Sequence, residues 1–365
     1  MTELLERDFS SFFDAPFHAY AADTPYVSPM KADLKRFLSI ENPLFSDASE
    51  FTFFSVKQYG KPVGRITAHI HRGSNNLHRE ARGCFGYFDC VNNPEVATVL
   101  LQAAENWTRA KGMTRLVGNF NLTAMQQVGI MTDGFDQQPF TDQIWGPPHL
   151  PGLLEENGFQ PHFPMTTFER RLDTNLISEV LPDAQRTQLF DQGFSFAPVN
   201  RATIDERLED ARAILNRSFK NNPMFVPVSA EEFHFQAKDM KWIMDPRISK
   251  VVHFRGAPAG ALIAIPDLNP LLRRIKSRLR LSLPYHYLRY KARRDRAVVI
   301  FQGVMPEFQG RSINPLMLKE MTRDMVAAGY KTVGGTWIAD ENTASLRQTE
   351  KAGALPLHRL HLFSK

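Results

Sequence analysis

One short stretch of the chain combines the residue types that bind a phosphate group. Residues 309–312, Gln-Gly-Arg-Ser, follow an apolar run and precede a segment with the apolar periodicity of a helix. The first N–H groups of a helix and its positive dipole end attract anions, and glycine lets the backbone approach them closely. The stretch therefore has the residue types of a phosphate-binding turn at the start of a helix.

The same residues also have a purely structural interpretation. Ser312 is a good helix N-cap, and Pro315 fits the first turn of a helix. Asn342, which follows the next apolar run, is likewise explained as the N-cap of the helix that begins near Thr343. Both interpretations stay open on the sequence alone.

Three glycine-containing strings recur in the same order and indicate an internal duplication. They are 60–64 with 256–260, 110–118 with 327–335, and 155–159 with 350–354. The first pair lies between β-rich runs, as in a hairpin, and the other two close amphipathic helices. The recurrence predicts a first domain over 1–180, a linker over 181–198 and a second domain over 199–365, with an insertion at 268–296.

The second copy resembles the GNAT superfamily of CoA-dependent N-acyltransferases. It contains the pattern Val-x-Pro-x-x-Gln from Val304 to Gln309, a glycine turn that opens a helix, and Asn342 after the next strand. Residues 22–29, 42–45 and 133–136 also resemble a bacterial subgroup of tandem GNAT-like proteins, which we associate with bacterial ceramide synthases. The resemblance implies an α+β fold of two tandem GNAT-like domains, each a mixed, mostly antiparallel sheet flanked by helices.

The resemblance also implies which residues contact acyl-CoA, the donor substrate. These are Val304, Gln309, Gly310, Arg311, Ser312, Asn314 and Asn342. The backbone of Val304 would pair with the pantetheine arm, although Ser312 and Asn314 replace two smaller residues of the family pattern. The first copy has Asn92-Asn93-Pro94 at the place of the phosphate loop, and we expect it to bind no CoA.

Amide formation from a thioester needs a neutral amine, donors for the oxyanion and a proton for the departing thiolate. The Tyr that often supplies this proton in the family is replaced by Thr349. Asp133 and Glu341 are the candidate catalytic bases, beside Asp340, Glu307 and Asp136, although turns and helix starts explain these acids equally well. The eleven His residues form no metal-ligand spacing, so no metal is expected.

The first copy carries an insert at about 119–148. Its residues Asn119 and Asn121 are predicted to shape an acceptor pocket between the domains, with a merely architectural loop as the alternative.

The insertion in the second copy is strongly basic. It holds ten Lys or Arg and one Asp between Leu271 and Arg296, which leaves the rest of the chain at net −4. Leu271, Leu272, Ile275 and Leu279 share one helical face, so the pattern predicts a basic amphipathic helix on an anionic membrane. Its predicted contacts are Arg273, Arg274, Arg278 and Arg280. Nucleic-acid binding is the less favoured alternative. Another is that the apolar stripe merely packs on the domain while the charged face stays in solvent.

The composition narrows the class of protein further. The 365 residues suggest two domains, and 43% hydrophobic with 23% charged residues excludes wholesale disorder. The start MTELLERDFSSFF is not that of a signal peptide, and Cys84 and Cys90 are expected to be reduced core thiols. We therefore expect a cytoplasmic protein, peripheral on the inner face of the membrane.

Together these observations predict an acyl-CoA-dependent N-acyltransferase whose acceptor is a long-chain, sphingoid-type amine. Two alternatives remain: an acetyltransferase for a small polar amine or peptide, and a catalytically silent acyl-CoA-binding or membrane-adaptor protein.

Overall fold

The computed structural model describes residues 2–45, 47–122, 127–173, 181–220, 226–238 and 243–365. The elements of the first half are β1 (Thr2–Glu6), α1 (Phe9–Ala19), α2 (Lys31–Phe37), β2 (Phe51–Gln58), β3 (Lys61–His69), α3 (Arg72–His78), β4 (Arg82–Cys90), α4 (Pro94–Ala110), β5 (Arg115–Gly118), β6 (Ile130–Asp133), α5 (His149–Glu156) and β7 (Gln160–Arg171).

The second half repeats this order, with a longer insertion between its hairpin and the strand that follows. Its elements are α6 (Asp183–Asp191), β8 (Phe194–Ala197), α7 (Ile204–Ser218), α8 (Ala230–Ala237), β9 (Lys250–Phe254), β10 (Ala257–Pro266), α9 (Asn269–Ile275), α10 (Leu283–Lys291), β11 (Arg296–Val304), α11 (Ile313–Ala327), β12 (Thr332–Ala339), α12 (Thr343–Lys351) and β13 (Leu355–Ser364). The α+β prediction is confirmed.

The recurring glycines occupy equivalent joints in the two halves. One pair lies in the β2–β3 and β9–β10 hairpins, one follows α4 and α11, and one follows α5 and α12. All six have a positive φ, namely Gly60 (77°), Gly256 (87°), Gly112 (83°), Gly329 (88°), Gly158 (85°) and Gly353 (68°). Because residues with a side chain rarely adopt this conformation, the same backbone geometry explains why glycine occurs at all six joints.

The two halves exchange their last strands and form one thirteen-stranded sheet. Its order is β1-β2-β3-β4-β5-β13-β7-β12-β11-β10-β9-β8, with β6 paired to β13. The last strand of the first half, β7, pairs with β12 of the second half, where Arg171 lies opposite Thr332. In return β13 pairs with β5, where Phe363 lies opposite Gly118. Each half therefore completes the sheet of the other.

The segment predicted to be a linker, 181–198, differs from that expectation. It contains α6 and β8, and β8 pairs with β9 at the far edge of the sheet. Leu189 and Phe194 are buried in the same core as α11, so the segment is an integral part of the second half. Residues 174–180, where the predicted first domain ends, lie outside the described part of the chain.

Helices cover both faces of the sheet in each half. In β2, Phe54 and Val56 pack in the core that contains α4, whereas Phe51 and Phe53 pack with α1 on the opposite face. This alternation is the two-residue period of a strand. The second half repeats the arrangement, with α11 on one face of β10 and α7 on the other.

Two expectations concern the setting of the protein in the cell. Cys84 and Cys90 are free and buried, and burial raises the pKa of the Cys84 thiol to about 11. Within the described ranges, none of the helices has the length and apolar character needed to cross a bilayer.

Candidate active site

A gap opens in the sheet where β11 and β12 diverge. The two parallel strands pair from Arg296 opposite Thr332 to Val299 opposite Gly335, and both then continue without pairing to each other. On its other side β11 pairs with β10, and the Met305 N–H donates to the Ala259 carbonyl at 2.9 Å. Since backbone groups alternate along an antiparallel strand, the N–H of Val304 points into the gap.

The gap leads into a cavity of about 590 Å³ that both halves line. Val299–Gln302 of β11, Val333–Ala339 of β12 and the start of α12 form one wall. The first half contributes residues around α3 and β4, and α7 contributes Leu215 and Phe219. A ligand threaded through the gap would therefore contact both copies of the repeat.

The predicted phosphate-binding turn lies between β11 and α11. Gly310 has φ 76°, and a Cβ at this position would meet no atom within 4 Å, so the turn is open to solvent. Ser312, with φ 61°, occupies the N-cap position, but its side chain does not cap the helix, and its hydroxyl accepts a hydrogen bond from Gln185 Nε2 at 3.1 Å. The first N–H groups of α11 are thus left for an anion, except that Pro315 has none.

Asn314 and Asn342 both line the cavity, and Asn314 links the start of α11 to α12. Asn314 Nδ2 donates to Gln348 Oε1 of α12 at 3.1 Å, while the Asn314 Oδ1 is buried and has no partner among the described residues. Asn342 is the N-cap of α12, because its side chain accepts from the Ser345 N–H at 3.1 Å. Thr349 also lines the cavity. By contrast, Gln309, Gly310 and Arg311 are exposed at its outer end.

The two predicted catalytic acids, Asp133 and Glu341, are not among the residues that line the cavity. Asp133 is exposed at the end of β6, and its Oδ1 accepts from the Gly134 N–H at 2.8 Å, as expected of a turn residue. Glu341 is exposed before α12, and neither carboxylate lines the cavity. Asp340 pairs with Arg359 of β13, which lowers the pKa of that carboxyl.

Asn119 and Asn121, which were predicted to shape an acceptor pocket, fill the equivalent gap of the first half. There β4 and β5 pair only from Arg82 to Phe85 of β4. Beyond that point the Phe88 N–H donates to Asn119 Oδ1 at 3.1 Å and the Tyr87 N–H to Asn121 Oδ1 at 2.7 Å.

These two amides, 3% and 5% exposed, therefore take the backbone donors that the second half leaves open. The space left beside them is only about 50 Å³. Residues 123–126 of this insert lie outside the described part of the chain.

Another part of the same insert does reach the second half. Phe140 packs under β12, where a Cβ on Gly334 would come within 2.5 Å of Phe140 Cδ2. Gln143 Nε2 donates to the Gly335 carbonyl at 2.8 Å, and Asp142 between them lines the cavity. Burial raises the pKa of Asp142 to about 7. The sequence gives no spacing signal for Asp142, because its position depends on contacts with residues nearly 200 positions away.

The basic insertion forms two short helices instead of one amphipathic helix. The first, α9, ends at Ile275 because Lys276 and Ser277 adopt φ 50° and 52°. Leu271 and Ile275 are buried in the protein, while Leu279 is exposed, so the predicted common face does not exist.

Two of the four predicted membrane arginines bind the first half. Arg273 Nη2 donates to the Pro25 carbonyl at 2.8 Å, and Arg278 pairs with Asp14. Arg274 and Arg280 are exposed. The exposed patch of the insertion consists instead of Leu279, Leu281, Tyr285 and Leu288 with Arg280 and Arg289.

In the described ranges, no three His, Cys, Asp or Glu side chains converge as metal ligands, and a metal-free site stays a prediction.

We expect Asn121→Leu to destabilise the first half, because it leaves the buried Tyr87 N–H without its acceptor. An unsatisfied buried donor costs about 1–3 kcal/mol. Urea unfolding should report a loss of this size. The matched control, Asn92→Leu at an exposed position, should change stability by no more than about 0.5 kcal/mol. An unaltered midpoint in Asn121→Leu would contradict the role given to its amide.

The comparisons with known proteins cover nearly the whole chain. No protein-family model matches it. It is 27% identical over 380 residues to Protein YghO of Escherichia coli, covering 100% of this chain and 94% of that protein. It is 26% identical over 370 residues to the bacterial ceramide synthase of Caulobacter vibrioides, covering 98% and 94% of the two proteins.

Solved structures agree on the fold. A tandem GNAT protein from the clavulanic acid biosynthesis pathway superposes with a TM-score of 0.59 at 14% identity, covering 100% of this chain and 98% of that one. A GCN5-related N-acetyltransferase from Sphaerobacter thermophilus gives 0.56 at 13% identity, covering 100% and 95%. The chain thus has the fold of the tandem GNAT proteins, and its sequence is similar throughout to a bacterial ceramide synthase.

Proposed function

We propose that this protein is an N-acyltransferase that moves an acyl group from acyl-CoA to an amine. The observation that carries the proposal is the gap between β11 and β12, which opens into a cavity beside the uncapped start of α11. The equivalent gap of the first half is closed by Asn119 and Asn121, which supports a single donor site in the second half.

The residues around the gap fit the chemistry of an acyl-CoA. The pyrophosphate would lie against the turn at Gly310 and the first N–H groups of α11, where the helix dipole favours negative charge. The pantetheine arm would enter the gap along β11, and the N–H of Val304 is a donor for the oxyanion that forms at the thioester carbonyl. Asn314 and Asn342 would contact the arm from the starts of α11 and α12.

The acceptor that we propose is a long-chain amine, because the cavity has an apolar end and a polar wall. Leu215, Phe219, Val228 and Phe301 line one end, and Phe219 and Phe301 have ring centroids 6.1 Å apart. The wall from the first half carries charged side chains, among them Arg82. An amphipathic amine suits both surfaces, and the similarity to a bacterial ceramide synthase supports this choice.

We also propose that the protein binds the cytoplasmic face of the membrane through the exposed patch of the insertion. The patch combines apolar side chains, including Leu281 at 104% and Leu288 at 66% exposure, with Arg280 and Arg289. Apolar side chains beside basic ones match the surface of an anionic bilayer.

Calorimetry with CoA, acetyl-CoA and palmitoyl-CoA, below micelle-forming concentrations, tests the donor. We expect palmitoyl-CoA to bind at least about tenfold more tightly than CoA, which is about 1.4 kcal/mol, and long-chain amines to trigger thiol release. Equal affinities would favour an acetyltransferase for small amines. Binding without thiol release would favour an adaptor, and no binding would contradict the proposal.

Asn314→Asp should weaken palmitoyl-CoA binding by at least about tenfold, because it places a negative charge beside the pyrophosphate. The melting temperature of the variant, measured alongside, reports the loss of the hydrogen bond from Asn314 Nδ2 to Gln348 separately from the loss of ligand binding. The control Asn200→Asp adds the same charge in an exposed turn. Equal affinity in both variants would refute the position of the phosphate turn.

Replacing Leu281 and Leu288 together by Ser should reduce binding to anionic vesicles by at least about tenfold. The reason is that burial of one Leu side chain in the bilayer contributes about 1.5–3 kcal/mol of binding free energy. Vesicle flotation measures the effect, and palmitoyl-CoA affinity should be retained. Leu355→Ser, at another exposed position (67%), is the matched control. Full flotation of the double variant would exclude the patch as the membrane contact.

A further inference from the structure

A carboxylate that the sequence did not single out reaches the gap from the first half. Asp142 lines the cavity with a backbone φ of 69°, a left-handed conformation that residues other than glycine adopt infrequently. Its side chain accepts no hydrogen bond from any described residue, in contrast to Asp133 in the same insert. A strained backbone that presents a free carboxylate to a cavity is a feature often found at functional sites.

The residues on either side of Asp142 fix its position. Thr141 donates through its N–H and its hydroxyl to Asp267 Oδ1, both at 3.0 Å, and accepts from the Leu268 N–H at 2.6 Å. Gln143 donates to the carbonyl of Gly335, the last residue of β12 paired with β11. Asp142 is therefore held next to the point at which the strands diverge.

The loop approaches the gap from the face opposite to α11. Phe140 packs with Val298 in one core, whereas Val304 and Val333 pack in the core that contains α11. On β12, Gly334 contacts Phe140 and its neighbour Val333 faces α11, as strand alternation requires. The donor's pyrophosphate would lie at the start of α11, so Asp142 faces the side from which an acceptor can enter.

We propose that Asp142 is the general base that removes a proton from the acceptor ammonium. This assignment rests on the proposed N-acyltransferase function. The Asp142 carboxylate takes one proton from R–NH₃⁺, and the neutral nitrogen attacks the thioester carbonyl to form the C–N bond. Collapse of the tetrahedral intermediate breaks the C–S bond, and the second proton lost from nitrogen goes to the departing CoA thiolate. Asp142 then releases its proton to water.

The electrostatic setting of Asp142 suits this role. Burial raises the pKa of Asp142 to about 7, whereas an alkylammonium has a pKa of about 10. The smaller pKa difference makes proton transfer from the ammonium to Asp142 less unfavourable. The charged groups on the cavity wall from the other elements are Glu50, Arg72, Arg82, Glu169, Arg170 and Glu232. Burial lowers the pKa of His71 on the same wall to about 4, so His71 is a neutral group near pH 7.

Asp142→Asn tests the assignment in the full-length protein. Thiol release from palmitoyl-CoA with a long-chain alkylamine should fall by about 10²–10⁴-fold in kcat, while palmitoyl-CoA affinity stays within about twofold of wild type. Asp191→Asn, an exposed Asp of α6, is the matched control and should keep wild-type turnover. The deficit of Asp142→Asn should shrink when the acceptor amine carries fluorine on the second carbon from nitrogen, because the fluorine lowers the pKa of the ammonium and makes the amine largely neutral in solution.

Thermal melting separates this role from a structural one. A buried carboxyl with a raised pKa lowers stability as the pH rises from its ordinary value of 3.8 to about 7. The melting temperature of Asp142→Asn relative to wild type should therefore increase over that range and level off above it. A flat difference, or melting well below wild type at every pH, would overturn the picture of a free, half-buried carboxylate.

The kinetic outcomes distinguish the two proposals. If the wild-type protein releases CoA and Asp142→Asn releases it equally fast, the assignment of Asp142 is overturned and the proposed function is not. If the wild-type protein releases no CoA with any amine, the proposed function fails and the assignment fails with it. A deficit that is equal for alkyl and fluorinated amines would also overturn it, because a general base is not needed for an amine that is already neutral.

Discussion

The exchange of β7 and β13 is the constraint on which the rest of this structure depends. Because β7 pairs with β12 and β13 pairs with β5, neither half has a complete sheet of its own. The exchange joins the halves into one sheet, and it holds the insert of the first half against the second. A cavity lined by both copies follows directly from this pairing.

The two halves repeat one backbone event with different contents. In each, two parallel strands pair for four residues and then diverge, as β4 and β5 do in the first half and β11 and β12 in the second. Buried donors must find acceptors, so a gap is stable only when something satisfies its N–H groups. Asn119 and Asn121 do this within the first half. In the second half this is the part that we propose for the bound acyl-CoA.

The sequence predicted the repeated elements well, because glycine joints and apolar periodicity are local properties. It predicted the turn at Gly310 and the N-cap at Asn342 for the same reason. It could not predict the exchange of β7 and β13, since the two strands are equivalent in the repeat and the side chains of each would suit the sheet of either half. Nor could it select Asp142 over Asp133, because burial of a carboxylate depends on contacts between distant segments. The basic insertion was misjudged because Lys276 and Ser277 end its helix without any glycine or proline signal.

The pairing of Val117 with Ser364 also sets an order of events during synthesis. A ribosome releases the chain from its first residue onward, and domains usually fold as they emerge. Here the first half lacks the neighbour of β5 until β13 has left the exit tunnel. Until then β5 presents an open strand edge, which is a site for pairing with other chains. The strand exchange that builds a shared cavity thus delays completion of the first half until β13 has been synthesised.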